Sequence, residues 1–224
     1  MKWIYVIIAL ILIAGCASVK TTPQATPKMD AKTPEAVSPP TEVKSGSTEV
    51  GRLPKFHTPE AQNINSARRV AQAFREVQSL KMAKSINFLI LRDINAKGYA
   101  SAMLTRCDFD IIKAFVAYGW APAIILRSPT GPEHLRTVIG YNDPPEELTL
   151  TDPMNTVGPT EPGALKQMKL SYADFLKMWD DQQKSCLLFF SQYTDESLIK
   201  NALWQFLPKD KTNSIAIRTK VNAE

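Results

Sequence analysis

Three patterns of apolar and polar residues follow one another along this chain. An unbroken apolar run of eleven residues from Trp3 to Ile13 sits behind Lys2 and stops at Ala14 and Gly15, directly before Cys16. From Ala17 to Lys55 the pattern disappears: there is no aromatic residue, and prolines recur at 23, 27, 34, 39, 40 and 54 among Thr, Ser, Lys and Glu. Beyond about Gly51 the apolar residues return with period. Ala67, Val70, Ala71, Phe74, Val77 and Leu80 predict an amphipathic helix over 66–80, with Asn65 or Ser66 as its cap. A second helix is predicted over 85–97, ended by Gly98, then a strand over 99–104. Asp108 caps a third helix over 109–118, closed by Gly119. Short apolar runs over 122–127, 137–141 and 148–151 predict strands, 172–179 a helix, and 186–190 a last strand. Helices first and strands later predict an α+β fold, with N-terminal helices followed by a mainly antiparallel sheet. In the C-terminal stretch, Leu198, Ala202, Leu203 and Phe206 stand near helical spacing around Trp204, so it is expected to pack back on the domain.

The first sixteen residues have the composition of a processed leader. Lys2 is the charged region, the apolar run is too short to span a bilayer, and small residues precede the cysteine. This resembles the lipobox of bacterial lipoproteins, which implies cleavage before Cys16, diacylation of its sulfur and acylation of its new amino group. Several acyl chains hold a protein on a membrane far more firmly than one. Ala17 rather than an acidic residue follows the cysteine, which favours the outer membrane, facing the periplasm. The proline-rich stretch cannot bury enough apolar surface to offset its ordering entropy, and reads as a disordered tether spanning roughly 30–35 Å as a coil and up to about 110 Å fully extended. The organisation expected is therefore a signal peptide over 1–15, a lipidated tether over 16–50 and one domain over 51–224.

Composition narrows the chemistry. The formal charge is +5, but acids and bases are interspersed, and without a basic stripe or recognition helix nucleic acid is not an expected partner. There is no His-Glu-x-x-His, no Cys-x-x-Cys pair, no repeated Asp loop and no Gly-rich phosphate loop; neither a metal nor a cofactor is expected. After lipidation of Cys16 only Cys107 and Cys186 remain. An exported compartment permits a disulfide between them, and two separate buried thiols acting as small hydrophobes are the competing reading. His57, one of two histidines, is expected to pack or cap locally before the first helix.

The order of segments carries a resemblance. Asp108-Phe109-Asp110-Ile111-Ile112-Lys113 is followed by Gly119-Trp120-Ala121-Pro122-Ala123-Ile124-Ile125-Leu126 and by His134-Leu135-Arg136-Thr137-Val138-Ile139-Gly140-Tyr141-Asn142-Asp143. Then come Leu148-Thr149-Leu150-Thr151-Asp152-Pro153, Ser171-Tyr172-Ala173-Asp174-Phe175-Leu176 and Trp179. Over about 53–190 this resembles the papain-like cysteine peptidases related to bacteriocin-leader processing enzymes. In that family a His opens a strand ending in Gly-Tyr-Asp, and the Asp of an Asp-Pro pair orients it. The resemblance gives His134 and Asp152 those two roles in thiolate chemistry.

At the nucleophile the chain departs from the family. Where the cysteine opens the first long helix, Ile64 stands, and where the oxyanion Gln is expected there is Thr58 or Pro59. Isoleucine has neither lone pair nor ionisable proton, so no attack can start there; Gln62 or Asn63 can offer an amide from a shifted position but cannot be the nucleophile. The expectation is a membrane-anchored, inactive papain-like domain, held at Cys16, that binds a peptide, peptidoglycan or an envelope protein. Two other readings stay open. One is an active cysteine peptidase or amidase using Cys107, whose place before a helix lowers a thiol pKa, with His134. The other is a structural envelope lipoprotein.

Overall fold

Short, nearly wholly apolar strands flanked by amphipathic helices can bury themselves only between two helical layers, and that is the arrangement adopted. The structure, a computed structural model, describes residues 51–127, 131–156, 165–179 and 183–220; the apolar leader, Cys16 and the tether lie outside the described residues. The described residues belong to one compact unit, Ser45–Glu224. Element order is β1 (Phe56–His57), α1 (Ala61–Glu76), α2 (Gln78–Lys81), α3 (Phe88–Ala96), β2 (Ser101–Thr105), α4 (Phe109–Ala117), β3 (Ala123–Arg127), β4 (Glu133–Asn142), β5 (Glu147–Thr156), β6 (Leu165–Ser171), α5 (Tyr172–Met178), β7 (Cys186–Phe189), α6 (Glu196–Trp204), α7 (Lys209–Thr212) and β8 (Ala216–Arg218). The strands form one sheet ordered β6-β5-β4-β3-β7-β2-β8, with β1 added against β4. Every pairing is antiparallel. The fold is α+β.

Strand alternation divides the core. Ala123 and Ile125 of β3, Leu135 of β4 and Leu187 of β7 pack with Val70, Phe74, Leu91 and Ile94 of α1 and α3. Their neighbours Ile124, Leu126, Val138 and Leu188 pack on the other face with Ile112 and Phe115 of α4, Phe175 of α5 and Leu203 of α6. A register shift between Val138 and Gly140 restarts the alternation, so that Tyr141 joins the α4 face.

The cap of α4 is formed as the sequence predicts: Asp108 accepts the Ile111 N–H at 2.9 Å, and Gly119 ends the segment at φ +93°. The positive φ is what calls for glycine there; a side chain at 119 would in addition have to displace the exposed Gln62 side chain. The first helix corrects its expected start. It begins at Ala61, with Glu60 as its N-cap, and Asn65 and Ser66 lie inside it. Asn63 draws the start forward, because its Oδ1 accepts the Glu60 N–H at 3.2 Å. Ser66 is buried and accepts the Ala121 N–H at 3.1 Å instead of capping. The predicted single helix also breaks at Val77, which is extended (φ −104°, ψ 106°). Asn87, whose Oδ1 accepts from Leu89 and Ile90, sets the start of α3 later than expected. The C-terminal stretch packs back as expected, through α6, and also adds edge strand β8 to β2.

Candidate functional site

The peptidase-like positions fall on elements that do not converge. His134 pairs with Leu126 and Arg136 with Ile124. Opposed residues of an antiparallel ladder project to one face, so both share the α4 face. Ile64, in contrast, packs beside Ala67, Ala121 and Ile139, beneath α1 on the opposite face. Five residues of β4 separate His134 from Ile139, roughly 16 Å along the strand. Asp152 follows Thr151, which opposes Thr137, and so lies beside Arg136. Its Oδ2 is 3.2 Å from the Arg136 Nη1 and its Oδ1 accepts the Met154 N–H at 2.9 Å. The carboxylate orients an arginine, and His134 has no hydrogen bond to another described residue.

The Asn63 amide beside Ile64 is also committed. Asn63 is buried and donates through Nδ2 to the Val116 and Trp120 carbonyls at 2.9 and 3.2 Å. Its Oδ1 meets His57 Nε2 at 3.0 Å, while the His57 ring stacks on Tyr141. Gln62 is exposed and lies over Gly119. The Asn63 bonds tie α1 to the end of α4 and leave that amide unavailable for an oxyanion. His57 packs locally, as the sequence reading expects.

Cys107 and Cys186 are not joined in a disulfide; they are 2% and 0% exposed, with sulfurs 3.9 Å apart in direct contact. Cys186 lies on β7, two strand spacings from β4, or about 10 Å. Neither sulfur is within reach of His134. Among the described residues no cluster of His, Cys, Asp or Glu is able to hold a metal ion, and no helix is long and apolar enough to cross a membrane.

Two polar clusters remain that the sequence did not announce. In the first, Lys113 of α4 is buried, and its Nζ lies 2.6 Å from Asp143 Oδ1. Tyr172 donates its hydroxyl to the same oxygen at 2.9 Å, and the rings of Phe109, Tyr141 and Tyr172 surround the ammonium at 5.1–5.8 Å. Burial, reinforced by Asp143, raises the pKa of both Tyr141 and Tyr172. The Tyr141 hydroxyl donates to the Pro54 carbonyl at 2.9 Å, so the ammonium and both hydroxyls have partners.

The second cluster is an open cleft of about 520 Å³ between α1, α3, the start of β2 and the chain after β7, lined by Arg69, Asn95, Tyr99, Phe190, Tyr193 and Lys220 among others. Arg69 is half-buried, makes no ion pair, and its Nε is buried without a hydrogen-bond partner. Burial lowers its pKa. Asn95 receives the Ser101 hydroxyl on Oδ1 at 2.9 Å, which turns its Nδ2, also buried and unpaired, the other way. Tyr99 stands beside them with its hydroxyl directed to the exposed Glu76; burial first, then the hydrogen bond to that carboxylate, push its pKa up to about 12, so it remains a donor. The sequence signal for Asn95 was an amide beside Ile94 in the apolar stripe of α3, within the predicted helix's last turn. Arg69 carried a weaker one, adjoining buried Val70 at the edge of the apolar face of α1. Compared with known proteins, the chain matches no family model, no curated protein and no solved structure.

Proposed function

We propose that this chain is a lipid-anchored protein of the bacterial envelope, held at Cys16 in the outer membrane facing the periplasm. In this reading its papain-like domain has lost peptidase chemistry and binds a peptide, cell-wall or protein partner at the end of a flexible tether. The lipobox-like leader and Ile64 at the nucleophile position support it from sequence. The observation that carries it is the dispersal of the chemistry: Asp152 is engaged by Arg136, and both thiols are buried against each other. A thiol that attacks must be accessible, ionised and hydrogen-bonded to its base.

The test is made in cells and on purified protein together. The full chain should incorporate labelled palmitate, lose the label in Cys16→Ser, and fractionate with the outer membrane. Purified protein should not hydrolyse peptide or amide substrates. Thiol-dependent hydrolysis abolished by Cys107→Ser would establish the active-enzyme reading instead. An unlabelled protein in the soluble fraction would sink the anchor.

A further inference from the structure

We propose that the cleft bounded by Arg69, Asn95 and Tyr99 is a binding site for the terminal carboxylate of a short peptide. This deepens the binding-module reading and rests on it for the source of the ligand, while the cleft chemistry stands on its own observations. Arg69, Asn95 and Tyr99 line the same cleft, and two side-chain donor atoms, Arg69 Nε and Asn95 Nδ2, are buried without partners. An unsatisfied buried donor costs free energy, and a half-buried guanidinium without a counter-ion costs more. A protein retains such a group where something else completes it.

The missing partner is an acceptor with negative charge. No Asp or Glu lines the cleft, and Lys220 adds a second cation, standing 4.6 Å over the Tyr193 ring. Glu76 engages the Tyr99 hydroxyl and Gln72 but is exposed and outside the lining, so the buried donors of Arg69 and Asn95 are left to an external acceptor. One guanidinium flanked by a neutral amide and a phenol suits a singly charged, planar carboxylate, which accepts a guanidinium's paired N–H groups. The cavity exceeds what one carboxylate fills. Its remaining walls, Gln72 and Gln192 with Tyr99, Tyr193 and Phe190, offer amides for peptide groups and rings for small side chains.

Calorimetry on the full chain in detergent provides the test, with N-acetyl-alanyl-alanine as probe against its C-terminal amide and inorganic phosphate. The acid should bind at least ~10-fold more tightly than the amide, the size of a charge-assisted contact. Arg69→Gln should bring acid and amide to equal affinity with no loss of thermal stability, since the native guanidinium has no partner to lose. In Asn95→Asp, the new carboxylate keeps the Ser101 contact and supplies the cleft with its own counter-ion, so acid binding should disappear while the protein stays folded. A D-alanine terminus bound more tightly than an L-alanine terminus assigns the peptide to the cell wall; the reverse assigns it to a protein end, and either supports the carboxylate site. Equal binding of acid and amide, no binding at millimolar probe, or phosphate binding more tightly than the acid each overturns the proposal. Such a failure with palmitate labelling intact and no hydrolysis leaves the anchored, non-catalytic module standing, whereas hydrolysis refutes that module whatever the cleft binds.

Discussion

Two cations sit beneath the surface of this domain, and their surroundings are opposites. Lys113 has a carboxylate at 2.6 Å and three aromatic rings around it; Arg69 has no ion pair among the described residues, and the unpaired amide of Asn95 lines the same cleft. The first arrangement is closed and is complete within the chain. The second lacks an acceptor, as expected of a site filled from outside. Placement of charge thus separates scaffold from binding surface here more clearly than exposure does, because both cations are at least half withdrawn from water.

The closed cluster should fail first in alkali. Unfolded tyrosines ionise near pH 10, and Tyr141 and Tyr172 are both raised above that value in the folded chain. Between the two values the unfolded chain has released protons that the folded chain keeps, so stability is fully present below pH 10 and falls as pH rises above it. Tyr99, raised to about 12, adds to the same fall. Urea midpoints at pH 8, 10 and 11 should decline steadily, and a profile flat to pH 11 would show that these hydroxyls are not held protonated. Lys113→Met comes next: breaking a buried pair costs about 3–5 kcal/mol. Because Asp143 is 35% exposed and keeps the Tyr172 bond, a loss of about 2–3 kcal/mol is expected, read as a drop in Tm.

Asn63→Ala tests the same principle at the other end of α4. It removes the donor to the Val116 and Trp120 carbonyls and the acceptor for His57, at an expected cost of about 2 kcal/mol. A change under about 0.5 kcal/mol would show that water replaces the amide without penalty.

Asn63 also shows where sequence reading stopped. That its neighbour Ile64 cannot act as a nucleophile was legible, since an isoleucine side chain has neither lone pair nor ionisable proton. The use of the adjacent amide was not, because its partners lie 53 and 57 residues away. The strands and the Asp108 cap were legible because alternation and capping are local. Strand β6, with its Lys and Gln at an exposed edge, lacks the apolar run by which its neighbours were found, which is the usual dress of a protected edge. His134 and Asp152 were read as partners from their order along the chain. The bulge-shifted ladder sets Asp152 beside Arg136, two residues further along β4, and only cross-strand register decides that. The cleft was invisible for a related reason: a guanidinium's lack of a partner is a property of the assembled structure.

On the open side, truncation should be nearly silent for folding. Arg69→Met keeps the alkyl stem and removes a charge that burial disfavours, so stability should stay within about 0.5 kcal/mol of the parent or rise slightly. Set beside the loss in Lys113→Met, this is the sharpest form of the comparison. A large destabilisation would mean that Arg69 is satisfied internally and that the cleft is scaffold after all.

The smallest effect is expected at the thiols. Cys107 and Cys186 lie in the core that packs around α4, at the closed side of the molecule, and alkylation requires an exposed thiolate. In native, reduced protein both should react slowly, at rates that do not change in His134→Ala. Denaturation should expose both at once, so the native rate also reports opening of the core. Fast labelling of Cys107 that persists at acidic pH and collapses in His134→Ala would bring a nucleophile and its base back together. That result would move the chemistry from the open cleft to the sheet face that now looks purely structural.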